Sequence, residues 1–505
     1  MQRRKFLKSA LAASTAAALP FGSVSAQPTS SWKSAFAQAQ VDNPWLAAYA
    51  HADRELYEAK ASVTGKWPAS LRGTFYRNGP AGHEVGDYRY QHWFDGDGLM
   101  QAYRITDQGI SHQARFINTY KRQAEQRAGR PLYSTFASDI PDPAPITSPD
   151  TVNPGNISVL HHHGKLLALW EAGSPWHIDE SNLETHGIYA FSEQTTGVPF
   201  SAHPRVEPDG TLWNFGYLSS ANILVLWHID ANGKLKRIEK IDAAPITMIH
   251  DFVVTERHIV LLIAPFHYDN PEATNFLAAH TWHGDAPTRV LVVDKDDFSN
   301  QQWYELPAQW VFHFGNAWED EAGVIRFDAA RADSPLVMIE NFSAIMRGEV
   351  SAQTPSVHHH YRIDTRAGTI SETPLLQAGI ESEFPCIDPR VSCRRNEVLY
   401  MLTHDTSKPT THTSLNEVSR FDFRSGALDS YRYPDTQIPE EHLYVPAQNS
   451  APEQQGWVVG SALDWKNSAM KLNVFDARRL SDGPIATATV PYSLPLGLHG
   501  KFVYA

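Results

Sequence analysis

Of the 24 histidines in this 505-residue chain, four stand in distinctive settings. They are His203 in "SAHPRVEPDG", His250 in "MIHDFVVTERHIVL", His313 in "VFHFGNAWED" and His499 in "LGLHGKF". Their separations are 47, 63 and 186 residues. Imidazole is the commonest protein metal ligand and suits iron, copper, zinc and nickel. Taken singly, each is an ordinary core or turn residue. The chemistry depends on whether the fold brings them to one point.

The elements that would do so are strands. "KLLALWEA", "HIVLLIAPF", "TRVLVVD", "EVLYMLT" and "GWVVGSAL" are apolar runs of strand length. Between such runs lie "PDG", "ANG", "RAG", "RSG" and "SDG", which are turn chemistry. Helical periodicity shows only in 31–61. Blades of roughly 60–70 residues divide the mature chain into about seven. The expectation is an all-β, seven-bladed propeller in one domain, whose innermost strands point at a common axis. A histidine spacing of one, one and three blade lengths fits that ring.

Composition narrows the function. With 42% hydrophobic and 20% charged residues the chain is an ordinary globular sequence. Net charge is -13, which argues against a nucleic-acid partner. Cys386 and Cys393 are too few for a disulfide framework, and whether they pair is open. Residues 1–26 have a basic start, an alanine-rich middle and the small-residue end "VSA", the layout of an export signal. "RRKFLK" fits the bacterial twin-arginine pattern. The expectations are a periplasmic or exported bacterial protein and dealings with the twin-arginine export machinery. Loss of Arg3, Arg4, Lys5 and Lys8 takes the net charge from -13 to -17. Residues 27–55 are expected to be a partly helical extension and 56–505 the propeller.

The four histidines come with neighbours that point further. "GTFYRNGPAG", "HWFDGDGLMQAYRI", "LLALWEAGSPWHID", "EFPCIDPR" and "EEHLYVPA" occur in order with the histidine segments. Together these blocks resemble the carotenoid cleavage oxygenase family, which includes lignostilbene dioxygenases. The resemblance runs from about Leu56 onward. It implies a seven-bladed propeller under a dome of loops and short helices. It also implies one Fe(2+) per chain, held by His203, His250, His313 and His499, with O2 as co-substrate. A metal-bound imidazole usually donates its other N–H to a carboxylate. The resemblance assigns that role to Glu171 for His250, Glu383 for His313 and Glu441 for His499, with none for His203. Glu440 takes the place of Glu441 if the register slips by one.

On that resemblance, four neutral imidazoles would leave a ferrous ion its full charge, and the expected reaction is O2-dependent splitting of a conjugated C=C into two carbonyl products. No protein nucleophile or base is needed. The substrate is expected to be apolar and long or flat, in an aromatic-lined tunnel, and peripheral membrane contact would let the protein extract it. Trp93, Phe94, Trp176, Phe314 and Trp318 neighbour the ligand motifs and are candidates for its lining. Lys121 falls near a lysine that meets the substrate phenol in lignostilbene dioxygenases, with Tyr88 or Tyr90 as its companion. A carotenoid or apocarotenoid is the first reading and a stilbenoid or phenylpropenoid the second. An exported metal-binding propeller without oxygenase activity, copper-bearing or purely binding, is the third. The triplets His161–His163 and His358–His360 read as surface strand or turn, since consecutive strand residues alternate faces. Asp95 and Asp97 read as turn and inter-blade hydrogen-bonding groups.

Overall fold

The apolar runs pair as the sequence pattern asks. His258–Ile263 runs antiparallel to Thr288–Asp294 with Leu261 opposite Leu291, and most of these side chains are buried. Neighbouring blades cover both faces of such strands, so they lack a polar face. The turns follow side-chain chemistry. In "DANGK", Asp230 Oδ1 accepts from the backbone N–H groups of Asn232 and Lys234, and Gly233 takes φ +74°.

The computed structural model describes residues 30–350, 355–412, 414–447 and 451–505. The leader assigned to 1–26 lies outside them. The described residues form seven sheets of four to six strands, plus two two-stranded sheets. Their inner strands are Ser158–His162, Arg205–Val206, Val253–Val254, Trp310–Glu319, Ile380–Cys386, Gln437–Pro446 and His499–Tyr504. Contacts join the inner strands of blades 4, 5, 6, 7, 1 and 2 in turn around the axis. This is the seven-bladed propeller.

Closure uses both ends of the described chain. His499–Tyr504 pairs with Gly73–Asn78 and becomes the inner strand of blade 1, with Asn78 opposite His499. Leu56–Lys60 is the outer strand of that same blade, and Ser62–Gly65 is the outer strand of blade 7. One short segment therefore straddles the seam on the rim while the last strand seals it at the hub. Arg77 stitches the same seam inside. It is fully buried, donates from Nη1 to Leu498 O at 3.0 Å and lies 3.4 Å from Glu441 and 3.8 Å from Glu440 of blade 7. The Arg77 side chain fills the space a Cβ at Gly497 would need.

A dome covers one end of the axis. It includes the helix Ser30–Asp42, the turn Pro44–Tyr49, the helix Tyr120–Ala128 and the segment 335–348. Phe36, Trp45, Leu46 and Tyr49 are buried in the same core cluster as Ile345 and Met346. Arg89 holds these pieces together, donating to Met346 O at 2.8 Å and to Glu84 at 3.0 Å with its guanidinium over the Phe36 ring. Asp95 accepts from the Phe136 and Ser138 amides at 2.7 and 2.9 Å, and Asp97 pairs with Lys121 and Arg122. Both cysteines are free thiols. The second histidine triplet departs from the surface reading: His358 is fully buried and its Nε2 meets Asp328 Oδ1 at 2.7 Å, because the strand Val357–Asp364 lies inside blade 5. His162 of the first triplet is buried too, 2.9 Å from Gly210 O, while His163 turns out at the hairpin.

Two outcomes follow for stability. His442 lies flat on Gly460, donates from Nδ1 to Glu440 O at 2.7 Å and accepts from Tyr433 OH at 2.8 Å. Burial holds its pKa down to about 3. The native ring is thus neutral at pH values where the unfolded chain, near 6.5, takes a proton, so this group's share of stability falls as pH falls from about 6.5 toward 3. His442→Phe lacks that titration, and its melting temperature is expected to converge on the wild type's as pH is lowered from about 7.5 to 5. Arg77→Met removes the buried cation beside Glu440 and Glu441 and is expected to cost about 3–5 kcal/mol in guanidinium unfolding.

Candidate metal centre

Each blade contributes one residue to the hub. His499 comes from blade 1, His203 and His250 from the segments entering the inner strands of blades 3 and 4, and His313 from the inner strand of blade 5. Glu171 follows the second strand of blade 2, and Glu383 and Glu441 sit on the inner strands of blades 6 and 7. The inner strands of blades 5, 6 and 7 are bulged beside their site residue: between Val311 and Ala317, Glu383 and Cys386, and Pro439 and His442. A bulge re-aims a side chain that the pleat would point elsewhere. Phe384, at φ +55°, takes up the bend after Glu383, and its ring stacks on His313 at 5.2 Å.

The ligand atoms of the four imidazoles all lie within 4.8 Å of one another. His203 Nε2 is 3.0 Å from His250 Nε2, and His313 Nε2 is 3.1 Å from His499 Nε2. His250 Nδ1 meets Glu171 at 2.8 Å, His313 Nδ1 meets Glu383 at 2.6 Å and His499 Nδ1 meets Glu441 at 2.9 Å. His203 has no carboxylate partner among the described residues. The bulge near Pro439 settles the choice between the two adjacent glutamates. Glu441 faces His499, whereas Glu440 accepts from Ser461 and the Gly497 amide.

This donor set fits a cation. The carboxylates take the Nδ1 hydrogens, which assigns the lone pair of each such ring to Nε2. Neutral His313 and His499 then aim two lone pairs at each other across 3.1 Å. A metal ion between them turns that repulsion into coordination. Burial, then the three neighbouring imidazoles, push the His203 pKa well below 6.5, toward the neutral form a ligand needs.

A second set of residues fixes the first, and the sequence did not single it out. Arg205, two residues after His203, donates to Phe252 O at 2.8 Å and Phe314 O at 3.2 Å, and pairs with Asp251 at 2.6 Å. Asp251, next to His250, also accepts from the Phe314 amide at 2.9 Å. One ion pair therefore laces the strands bearing His203, His250 and His313. The signal was present as "HPR", "HD" and "HFG", but a short motif does not reveal its partners. Tyr217 similarly donates to Glu171 from blade 3.

Two cavities meet at the quartet. Trp310, Phe312 and the approach 496–498 face one, residues 314–317 and 500–501 face the other, and His313 and His499 stand between. The first, about 190 Å³, lies under the dome. Trp93 and Phe94 line it as expected, joined by Trp310, Phe312, Phe342 and Leu498. The second, about 800 Å³, is wide and open and carries Phe314, Arg205 and Lys501.

The other candidate lining residues are elsewhere. Lys121 is buried between Asp97 and Glu125, each at 3.0 Å, with Tyr90 OH at 2.6 Å, and does not line the dome cavity. Three polar partners consume its ammonium donors. Tyr88 packs against Tyr90 and Ile140. Trp176 is in the core of blade 2 against Tyr120. Trp318 lies at a surface groove near Arg326 and Arg395. For Trp176 and Trp318, proximity in sequence to a site motif misled, because residues near one another along a strand path can face opposite sides. His267, Asp269 and His283 form a second convergent group, on the hairpin of Phe266–Tyr268 and His280–Trp282.

Comparison with known proteins agrees with this geometry. A family model described as retinal pigment epithelial membrane protein matches residues 49–504. Apocarotenoid-15,15'-oxygenase of Synechocystis is 28% identical over 479 residues, covering 91% of this chain and 96% of the relative. Isoeugenol monooxygenase of Pseudomonas nitroreducens is 26% identical over 469 residues, covering 87% and 94%. A cobalt-substituted crystal structure of the Synechocystis oxygenase superposes with a TM-score of 0.81 at 26% identity, covering 92% of this chain and 99% of the other. With the match running through nearly all of the propeller, the chain belongs to the retinal pigment epithelial membrane protein family, that of the carotenoid cleavage oxygenases.

Proposed function

We propose that this protein is a non-haem Fe(II) oxygenase that cleaves a conjugated carbon–carbon double bond of an apolar substrate, first of all a carotenoid or apocarotenoid, into two carbonyl products. The observation that carries the reading is the convergence of His203, His250, His313 and His499, three of them backed by a carboxylate. The breadth of the family supports the reaction type, since relatives are named for cleavage of carotenoids and of resveratrol. The burial of Lys121 speaks against a phenol held by that lysine. The exported location rests on the pattern of residues 1–26 alone.

His203, His250, His313 and His499 would hold the ion, which when bound supplies the activation of O2 that an electron-rich double bond needs. The protein does the rest by placement. Glu171, Glu383 and Glu441 keep the Nδ1 protons and so keep each Nε2 free to coordinate. Trp93, Phe94, Phe312 and Phe342 offer flat apolar walls beside the imidazoles and exclude water from the substrate. The reading needs no side-chain nucleophile, and O2 provides both product oxygens.

Anaerobic reconstitution with Fe(II), followed by an oxygen electrode and mass spectrometry, checks the reaction. Consumption of one O2 per cleaved double bond, with two aldehyde or ketone products from a polyene, is the expected result. Zero uptake with every polyene and stilbene offered would refute it. Two substitutions separate ligand from support. His313→Ala is expected to lose iron measured by elemental analysis while its far-ultraviolet circular dichroism stays that of the wild type. Glu383→Gln keeps the ligand and is expected to weaken iron affinity about 10–100-fold.

A further inference from the structure

Four carboxylates reach the dome cavity: Glu171, Glu381, Glu383 and Glu440. Three are engaged. Glu171 and Glu383 take histidine N–H groups, and Glu440 takes Ser461 and the Gly497 amide. Glu381 is different: among the described residues its carboxylate has no hydrogen-bond or ion-pair partner. The nearby ionisable group that acts on it is its cross-strand neighbour His404, whose Nδ1 meets Asn416 Oδ1 at 3.0 Å.

Its position is defined by the strand. Residues 380–383 pair in unbroken register with 402–405, so Glu381 and Glu383 share a face and stand one pleat repeat apart, about 7 Å. Glu383 reaches His313. Glu381 therefore sits one step from the hub along the same wall, among aromatic rings and leucines. An unpaired carboxylate costs free energy against such a wall. Apolar cavities that bind small molecules keep a few polar groups of this kind to fix the ligand's orientation. A carboxylate accepts hydrogen bonds and has none to donate when ionised. Its complement is an O–H at one end of a flat apolar molecule.

We propose that Glu381 is a specificity-determining residue that accepts a hydrogen bond from a substrate hydroxyl, so that the protein prefers conjugated alcohols or phenols over aldehydes and hydrocarbons of the same length. This rests on the reading of the cavity as the site for a conjugated substrate. With the hydroxyl end held at Glu381, the chain of double bonds lies along the Phe312 wall toward the imidazoles.

Binding tests it without turnover. The iron-loaded protein under argon is titrated with all-trans-retinol and all-trans-retinal, and with 4-hydroxystilbene and stilbene. Quenching of tryptophan fluorescence, from Trp93 and Trp310 at the cavity, reports occupancy. In at least one pair the wild type is expected to bind the hydroxylated member about 10-fold more tightly, as one hydrogen bond to a charged group allows. The pair in which this occurs distinguishes a polyene alcohol from a phenol. Glu381→Leu is expected to erase that preference while leaving retinal and stilbene affinity within about twofold, and the near-isosteric Glu381→Gln to retain part of it. A wild type with no preference, or a preference that survives in Glu381→Leu, overturns the proposal while leaving the cavity reading intact. Failure of all four probes to bind overturns both.

Discussion

The pairing of Gly73–Asn78 with His499–Tyr504 is the constraint on which the rest depends. Strands of one blade are near neighbours in sequence, and their pairing is local. This pairing joins residues more than 400 positions apart. Loop-closure entropy grows only slowly with length, so the join is affordable if its interface is good. The interface is good because it is doubled: a rim strand binds blade 7 while the hub strand binds blade 1, and Arg77 is buried between them. The same pairing sets Asn78 opposite His499 and so fixes one of the four imidazoles.

The hub is a study in opposing charge. Burial and the crowding of four imidazoles together lower basicity, as at His203. Glu383 acts the other way on His313. Burial alone would lower that ring's pKa, but the adjacent carboxylate outweighs it and the net direction is upward. Glu441 shows the mirror case, held low by His499 and Arg77 against a burial that would raise it. Without a cation these groups compete for protons. A divalent ion satisfies all of them at once, and the arrangement is intelligible as a site built around a positive charge.

Much of this was legible before any coordinates. The number of blades follows from chain length and turn spacing, whereas the four imidazoles and the three carboxylates come from ordered blocks that resemble a family. Those blocks carry first-hand contacts. The Arg205–Asp251 clamp was hidden because its partners are backbone carbonyls of other blades, which sequence does not display. The cavity lining was read in part. Trp93 and Phe94 lie in a dome turn that faces the hub, whereas Trp176 and Trp318 sit where strand alternation turns them away. Lys121 was misplaced because two carboxylates distant in sequence or one helical turn away, Asp97 and Glu125, claim its charge. His358 was misplaced for a similar reason: Asp328 on the adjoining strand makes burial of a polar ring tolerable.

The order in which the blades are made bears on which metal the protein acquires. His203, His250 and His313 fall within 111 residues, and His499 comes 186 residues later. At about 5–20 residues per second, that gap lasts on the order of 10 s or more. During it a growing chain owns three of the four imidazoles but not the strand that completes the ring. Three histidines are themselves an attractive trap for copper or zinc, which bind nitrogen donors more tightly than ferrous iron does. With Fe(II) as the proposed ion, a propeller that shuts before it meets copper or zinc would escape that trap.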